Sequence, residues 1–369
     1  MPLNFVAVGD VGPDRPDPAT IFDHVRERLR RADLGFGQLE VNETTRGVRL
    51  PQVRHTIRGP IGTAAAMVGA GLHVVSFAGN HTMDWGAEGM ADTMTALKVA
   101  GAQGIGAGPD LDAAMAPAVV ERAGHRIGIL AVSSILPQDT WATETRPGAA
   151  PLRAHTVYEQ IETDQPGTPA RVHTFARRED LDRLLAAIRA LRDRVDVLIL
   201  SHHAGIHFVP AVIPDYQREV AHAAIDAGAD MVLGTHAHIL KGVEFHRGRP
   251  IVHSLANFAI ELPMTAEHAA SKGFREIRTL HPGWEADLTS RYNFPPDSAM
   301  TMTVEATFDG GRMTDFALVP AMIGRDADPR WADAKDAARI RDYLEEITAA
   351  ADLSTRYALD GDVIRAAPG

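Results

Sequence analysis

The residues best placed to do chemistry are the two imidazoles of Gly234-Thr235-His236-Ala237-His238, which follow the short apolar run Met231–Leu233. In extended backbone the i, i+2 spacing aims both side chains to one side. Neutral imidazole is a common metal ligand, so metal binding is the leading chemistry, set against the plainer reading of two surface-loop histidines. Four other apolar runs hand over a residue of ligand type in the same way. Phe5–Val8 leads to Gly9-Asp10, Leu34–Leu39 to Glu40, His73–Phe77 to Gly79-Asn80-His81, and Val195–Leu200 to His202-His203. A mixed Asp, Glu, Asn and His set suits Zn, Mn or Fe rather than Ca, which prefers oxygen alone.

Elements must hold these residues, and the chain is long enough to supply them. Its 369 residues are 45% apolar and 23% charged, the range of a globular protein with a sizeable core. Apolar strands alternate with amphipathic helices, the clearest being Arg178 to about Arg194 with Leu181, Leu184, Leu185, Ile188 and Leu191 on one stripe. This predicts an α/β fold with sheets buried between helices and a single domain. Helices are expected at about 19–31, 61–70, 89–100, 216–227 and 332–350, the last closing the chain. Met300–Phe308 and Met313–Val319 read as a hairpin, Gly104–Gly108 as a turn. Two irregular stretches, about 137–172 and 261–298, read as long loops that would carry specificity. Their candidate contacts are Arg146, Arg153 and Tyr158 in the first, and Lys272, Arg275, Trp284 and Tyr292 in the second.

A net charge of −11 argues against nucleic-acid and anionic-membrane partners, and the absence of cysteine excludes disulfides, thiolate metal sites and cysteine nucleophiles. The first apolar run is too short for a signal peptide, and none reaches membrane-spanning length, so the expected partner is a small molecule and the expected location cytoplasmic.

Read together, Gly9-Asp10, Gly79-Asn80-His81, His203 and the Gly-Thr-His-Ala-His loop resemble the calcineurin-like metallophosphoesterase signature. More closely, the chain resembles the CapA family of capsule and poly-γ-glutamate synthesis proteins. Gln38-Leu39-Glu40, Asn80-His81-Thr82-Met83-Asp84-Trp85-Gly86, His203-Ala204-Gly205, Gly228-Ala229-Asp230 and His253-Ser254-Leu255-Ala256-Asn257-Phe258 carry the resemblance in order, over about residues 4–260. It implies a metallo-dependent phosphatase-like β-sandwich flanked by helices, four layers deep (αββα), with a C-terminal hairpin extending one sheet. It implies two divalent ions (Mn, Zn or Fe). Asp10 and His238 would hold one, Asn80, His203 and His236 the other, with Glu40 bridging and His81 beside the leaving group.

The chain departs from the wider pattern where Gly12 stands for a ligand histidine, which makes a mononuclear site the alternative. His207 stands where the family has Glu, as an added ligand, a substrate contact or a solvated loop residue. Asn257 is expected to help line the site, His202 to face away from it, and His253 to be structural. Asp84 either orients His81 or, the favoured reading, caps the following helix. The expected chemistry is hydrolysis by a metal-activated hydroxide on a phosphoryl or carbonyl centre, with His81 protonating the leaving atom. Three functions compete: hydrolysis of an amide (C–N) bond in a small carboxylated molecule, which is preferred; a metallophosphoesterase; and a non-catalytic accessory protein of polyglutamate or capsule synthesis.

Overall fold

Strand Leu3–Gly12 runs up the middle of a ten-stranded sheet and shows how the chain sorts its side chains. Leu3, Phe5 and Ala7 enter one core cluster, Val6 and Val8 another, the two-residue alternation of a strand buried on both faces. In this computed structural model, which describes residues 1–53, 56–162 and 167–369, the other strands follow the same rule. On one side of Leu3–Gly12 lie Leu34–Leu39, Leu72–Ser76 and Gln103–Ile105, all parallel to their neighbours. On the other lie the antiparallel strands Met300–Asp309 and Arg312–Ile323, then Val363–Ala367 and Arg356–Asp360. Asn257–Ile260 pairs in parallel with the end of Leu3–Gly12.

A second sheet of six strands is ordered Val243–His246, Arg249–Val252, Met231–Thr235, Val197–His203, His125–Ser133 and Ala118–Arg122. Its Ile127, Ile129, Val197, Ile199 and Leu233 share one buried cluster with Phe5, Phe36, Val74 and Phe308 of the larger sheet, so the two sheets lie face to face. Helices cover both outer faces. Leu181, Leu184 and Ile188 of helix Arg178–Arg192 and Val220 and Ala224 of helix Asp215–Ala227 cover the smaller sheet, and Met67, Met90 and Leu97 cover the larger. The result is a mixed α/β fold layered helix, sheet, sheet, helix. Among the described residues no helix is long and apolar enough to cross a membrane.

Several boundaries differ from expectation. The helix expected at 19–31 is a 3-10 turn Pro18–Phe22 followed by the short helix Arg26–Leu29. The glycine run at 104–108 carries short strands Gln103–Ile105 and Ala107–Gly108 rather than a bare turn. Helix Ala334–Ala350 does not close the chain: the hairpin Arg356–Asp360/Val363–Ala367 follows and extends the large sheet. The stretch 137–172 contributes strand Ala154–Glu159, half of an exposed hairpin with Arg171–Ala176, and residues 163–166 of that stretch lie outside the described residues. The stretch 261–298 carries helices Ala266–Ala269 and Lys272–Arg278 and the 3-10 turn beginning at Pro296. Each piece is too short to show a helical stripe in sequence.

Candidate metal centre

Pleat parity places the candidate residues. In Val197–His203, Val197 and Ile199 face the space between the sheets while Leu198 and Leu200 face the helices. His203 therefore points between the sheets, and His202 points to the helical layer, where its Nε2 lies 2.8 Å from Ser134 Oγ and its ring meets Tyr216 edge-on. Leu34 and Phe36 share the inter-sheet face, and Glu40 keeps their parity just beyond that strand. In Leu3–Gly12 the alternation slips: Val6, Val8 and Val11 all face the helices. The register shift at Asp10 accounts for this, because a bulge re-aims the side chain beside it.

Two glycines let the backbones come close enough. A Cβ on Gly9 would sit 2.0 Å from Ala256 O, and one on Gly234 would sit 2.1 Å from His253 O. Gly12 lies elsewhere: a Cβ there would meet Val41 and Ile260 side chains at 3.1 Å, so this position packs against apolar neighbours. His236 and His238 converge, but not by the extended backbone that their spacing suggested. Both adopt positive φ, +88° and +56°, a conformation that L-residues seldom take.

The outcome is two groups of buried side chains that could hold a metal ion, Glu40 with His203 and His236, and Asp10 with Glu40 and His238; in each, one ligand atom per residue lies within 4.8 Å of the others. Glu40 belongs to both. Its Oε1 is 3.2 Å from His203 Nε2 and its Oε2 is 3.8 Å from His238 Nε2. Asn80 Oδ1 lies 2.8 Å from the same His203 Nε2.

The rings are held from behind. His203 Nδ1 is 2.9 Å from Thr235 Oγ1, and His238 Nδ1 donates to Asn257 Oδ1 at 2.6 Å, which leaves the His238 Nε2 lone pair for a ligand role. Asn257 is thus spent on His238 and, through Nδ2, on Tyr292 Oη at 2.8 Å, whose hydroxyl donates to Ser298 O. Asn257 does not line the open site as expected; it is fully buried and supports a ligand from behind. His207 stacks on the site, its ring centroid 3.9 Å from that of His236 and 5.0 Å from that of His238.

The donor set matches a cation. Asp10 Oδ1, both Glu40 oxygens and His236 Nδ1 are buried without a hydrogen-bond partner. Orphaned buried acceptors are costly unless something positive meets them. Burial, then the neighbouring carboxylates, pushes Glu40 well above the usual carboxylate range, and burial likewise raises Asp10. Burial holds His203 and His236 far below their usual value and His238 down at about 4, so all three are neutral and able to donate a lone pair.

His81 differs. Burial alone would lower it, but Asp84's charge and hydrogen bond, with Asp10's charge, outweigh that and hold it above its usual value. Its Nδ1 lies 2.7 Å from Asp84 Oδ2, and helix Gly86–Ala100 has no side-chain cap. Asp84 therefore orients His81, and the capping reading is corrected.

Glu40, Asn80, His81, His207 and His238 open on a cavity of about 420 Å³. Of the expected loop contacts, Trp284 lines it. Arg153 is committed to Asp180, Arg146 to Asp139, Lys272 to Glu276 and Arg275 to Ala270 O, while Tyr158 is exposed on the hairpin Ala154–Glu159/Arg171–Ala176. Thr235 and Phe208 escaped the sequence reading, although each adjoins a histidine that it singled out.

Comparison with known proteins follows the same residues. The family model described as bacterial capsule synthesis protein PGA_cap matches residues 4–261. A probable polyglutamine synthesis accessory protein of Mycobacterium tuberculosis (strain ATCC 25618 / H37Rv) is 32% identical over 213 residues, 57% of this chain and 50% of its own. The capsule biosynthesis protein CapA of Bacillus anthracis is 24% identical over 244 residues, 65% of this chain and 54% of its own. The chain spans about half the length of the curated relatives it matches. A crystal structure of a hypothetical protein from Thermus thermophilus aligns with 86% of this chain and 98% of its own at 16% identity and a TM-score of 0.47.

Proposed function

The chain belongs to the bacterial capsule synthesis protein PGA_cap family, and from that premise we propose that it is a metal-dependent hydrolase cleaving the amide (C–N) bond of a small carboxylated molecule. The observation that carries this reading is Glu40, whose two orphaned carboxylate oxygens are turned toward two different groups of neutral imidazoles and Asp10. Asp10, Glu40 and His238 would hold one divalent ion, and Glu40, Asn80, His203 and His236 the other. When bound, such ions supply Lewis acidity, polarising the scissile oxygen and making water acidic enough to ionise near neutral pH.

The chain's own residues do the rest. Asp84 fixes His81 through Nδ1, which leaves Nε2 to face the cavity and deliver a proton to the departing nitrogen. An amide nitrogen is a poor leaving group unless protonated, so an acid at this position matters most for C–N cleavage. Asn257 keeps the His238 ring in one tautomer, and Thr235 orients the His203 ring. No Lys or Arg is among the described residues lining the cavity, whereas phosphoester recognition ordinarily relies on such groups. That favours an amide over a phosphate ester.

A second reading, a non-catalytic accessory protein, is favoured by the name of the mycobacterial relative. The test is turnover by the Zn- or Mn-loaded chain of matched anilides and nitrophenyl phosphates, with His81→Ala as control. Anilide cleavage lost in His81→Ala supports the proposal. Phosphate ester cleavage alone overturns the bond assignment, and no turnover of either favours the accessory role.

A further inference from the structure

The family match ends at residue 261, and the cavity's apolar roof begins at once beyond it. Met264, Phe274, Ile277, Trp284 and Phe294 all line the cavity, and all come from residues 262–294. The local sequence explains how. Ser271 caps helix Lys272–Arg278 by accepting from Phe274 N, and Phe274 and Ile277, three apart, turn inward while Lys272 and Glu276 pair outside. Phe274 is 4% exposed and packs on Trp284 with centroids 4.9 Å apart.

The roof closes directly on the candidate metal ligands. Phe294 lies 5.2 Å from the His238 ring, and Phe208 lies 5.6 Å from it on the adjoining loop. Phe208, Ile277 and Phe294 belong to one apolar cluster, and His281 Nε2 ties the roof to that loop at Phe208 O, 2.9 Å away. The one further carboxylate among the described wall residues, Glu261, is already engaged by Asp14 N at 2.7 Å, Arg15 Nε at 3.0 Å and Arg291.

Resting on the hydrolase reading above, we infer that the roof selects a substrate with an aromatic or branched aliphatic group next to the scissile bond, and rejects a polyanionic glutamyl chain. A polymer with a carboxylate on every residue would bury charge against Phe, Trp, Ile and Met with no lining Lys or Arg among the described residues to meet it, which is heavily disfavoured. An apolar group instead gains from leaving water. The shared residues up to 261 build the reactive centre, and the segment after them sets what it accepts.

The test is calorimetric binding of three metal-directed probes to the full chain loaded with Zn²⁺: phenylacetohydroxamate, acetohydroxamate and glutamate γ-hydroxamate. The expected result is that the phenyl probe binds roughly thirty-fold or more tighter than acetohydroxamate, the worth of burying a ring, with the glutamate probe weakest. Phe274→Ala, or the milder Ile277→Ala should the first fail to fold, is expected to reduce the phenyl-to-methyl ratio at least roughly five-fold. Acetohydroxamate binding as tightly as the phenyl probe, or glutamate hydroxamate binding tightest, overturns the roof assignment and leaves the hydrolase reading standing. Binding of none of the three overturns both, at the metal.

Discussion

Glu40→Gln should reverse sign with metal. Both Glu40 oxygens are buried without a hydrogen-bond partner from the chain, and its side chain is 2% exposed. An unsatisfied buried acceptor costs about 1–3 kcal/mol, more when it carries charge. The amide of Gln keeps the site uncharged without the proton uptake that buried Glu40 needs, and can donate toward His203 Nε2, which lies 3.2 Å from Oε1. A chain of 369 residues loses stability at roughly 0.8 kcal/mol per degree near its midpoint. Glu40→Gln should therefore melt about 1–4 °C above wild type in chelator. With Zn²⁺ or Mn²⁺ at a hundred times its dissociation constant, each occupied site adds about 2.7 kcal/mol, or about 3 °C. Wild type, with two sites, should gain about 7 °C and the variant little of it, so the two melting curves change order. Differential scanning fluorimetry in chelator and in metal reads this directly. A variant less stable than wild type in chelator that still gains the full metal shift would refute the role given to Glu40.

Three further outcomes are expected. Asp84→Asn should lower turnover by about 10²-fold through kcat with KM and metal content unchanged, because it releases His81 without touching a ligand; loss of metal instead would contradict the assignment. Asn257→Ala should weaken metal affinity by roughly 10–100-fold, measured by competition with a chromophoric chelator, because His238 Nδ1 loses its acceptor. Away from the site, Glu244 is held down at about 2: burial would raise it, but the hydrogen bond and charge of His253, then those of His222, prevail. A depressed carboxyl adds stability above its unfolded value of 4.5, lost as pH falls from there toward 2. Glu244→Gln should thus cost about 2 kcal/mol at neutral pH, discounted for partial exposure, and flatten acid denaturation over that window; an unchanged acid limb would contradict it.

Much of the centre is legible in the sequence because pleat parity is. An apolar strand of alternating burial delivers its last residue to a known face, which is how Glu40 and His203 arrive where the motifs suggested and why His202 turns away. Asp10 is harder, since a register slip decides its direction and no residue type announces a bulge. The His236/His238 pair illustrates a convergence reached by another route: positive φ at both residues, beside a Gly234 packed on the His253 backbone, replaces the pleat. Asp84 misleads because an acid before a helix reads locally as a cap, whereas a partner three residues back decides its role. The roof from Met264 to Phe294 and the terminal hairpin Arg356–Ala367 are illegible for a common reason. Their elements are too short to repeat a period, so tertiary packing rather than local pattern defines them.

The most direct test of a two-ion centre is elemental analysis of the purified full chain after reconstitution with Mn, Fe or Zn, beside an Asn80→Ala, His236→Ala double variant. About two equivalents per wild-type chain, falling to about one in the variant as Asp10, Glu40 and His238 keep theirs, is the predicted result. A wild-type chain that retains no metal under any of the three conditions, or a variant that retains both equivalents, would contradict it.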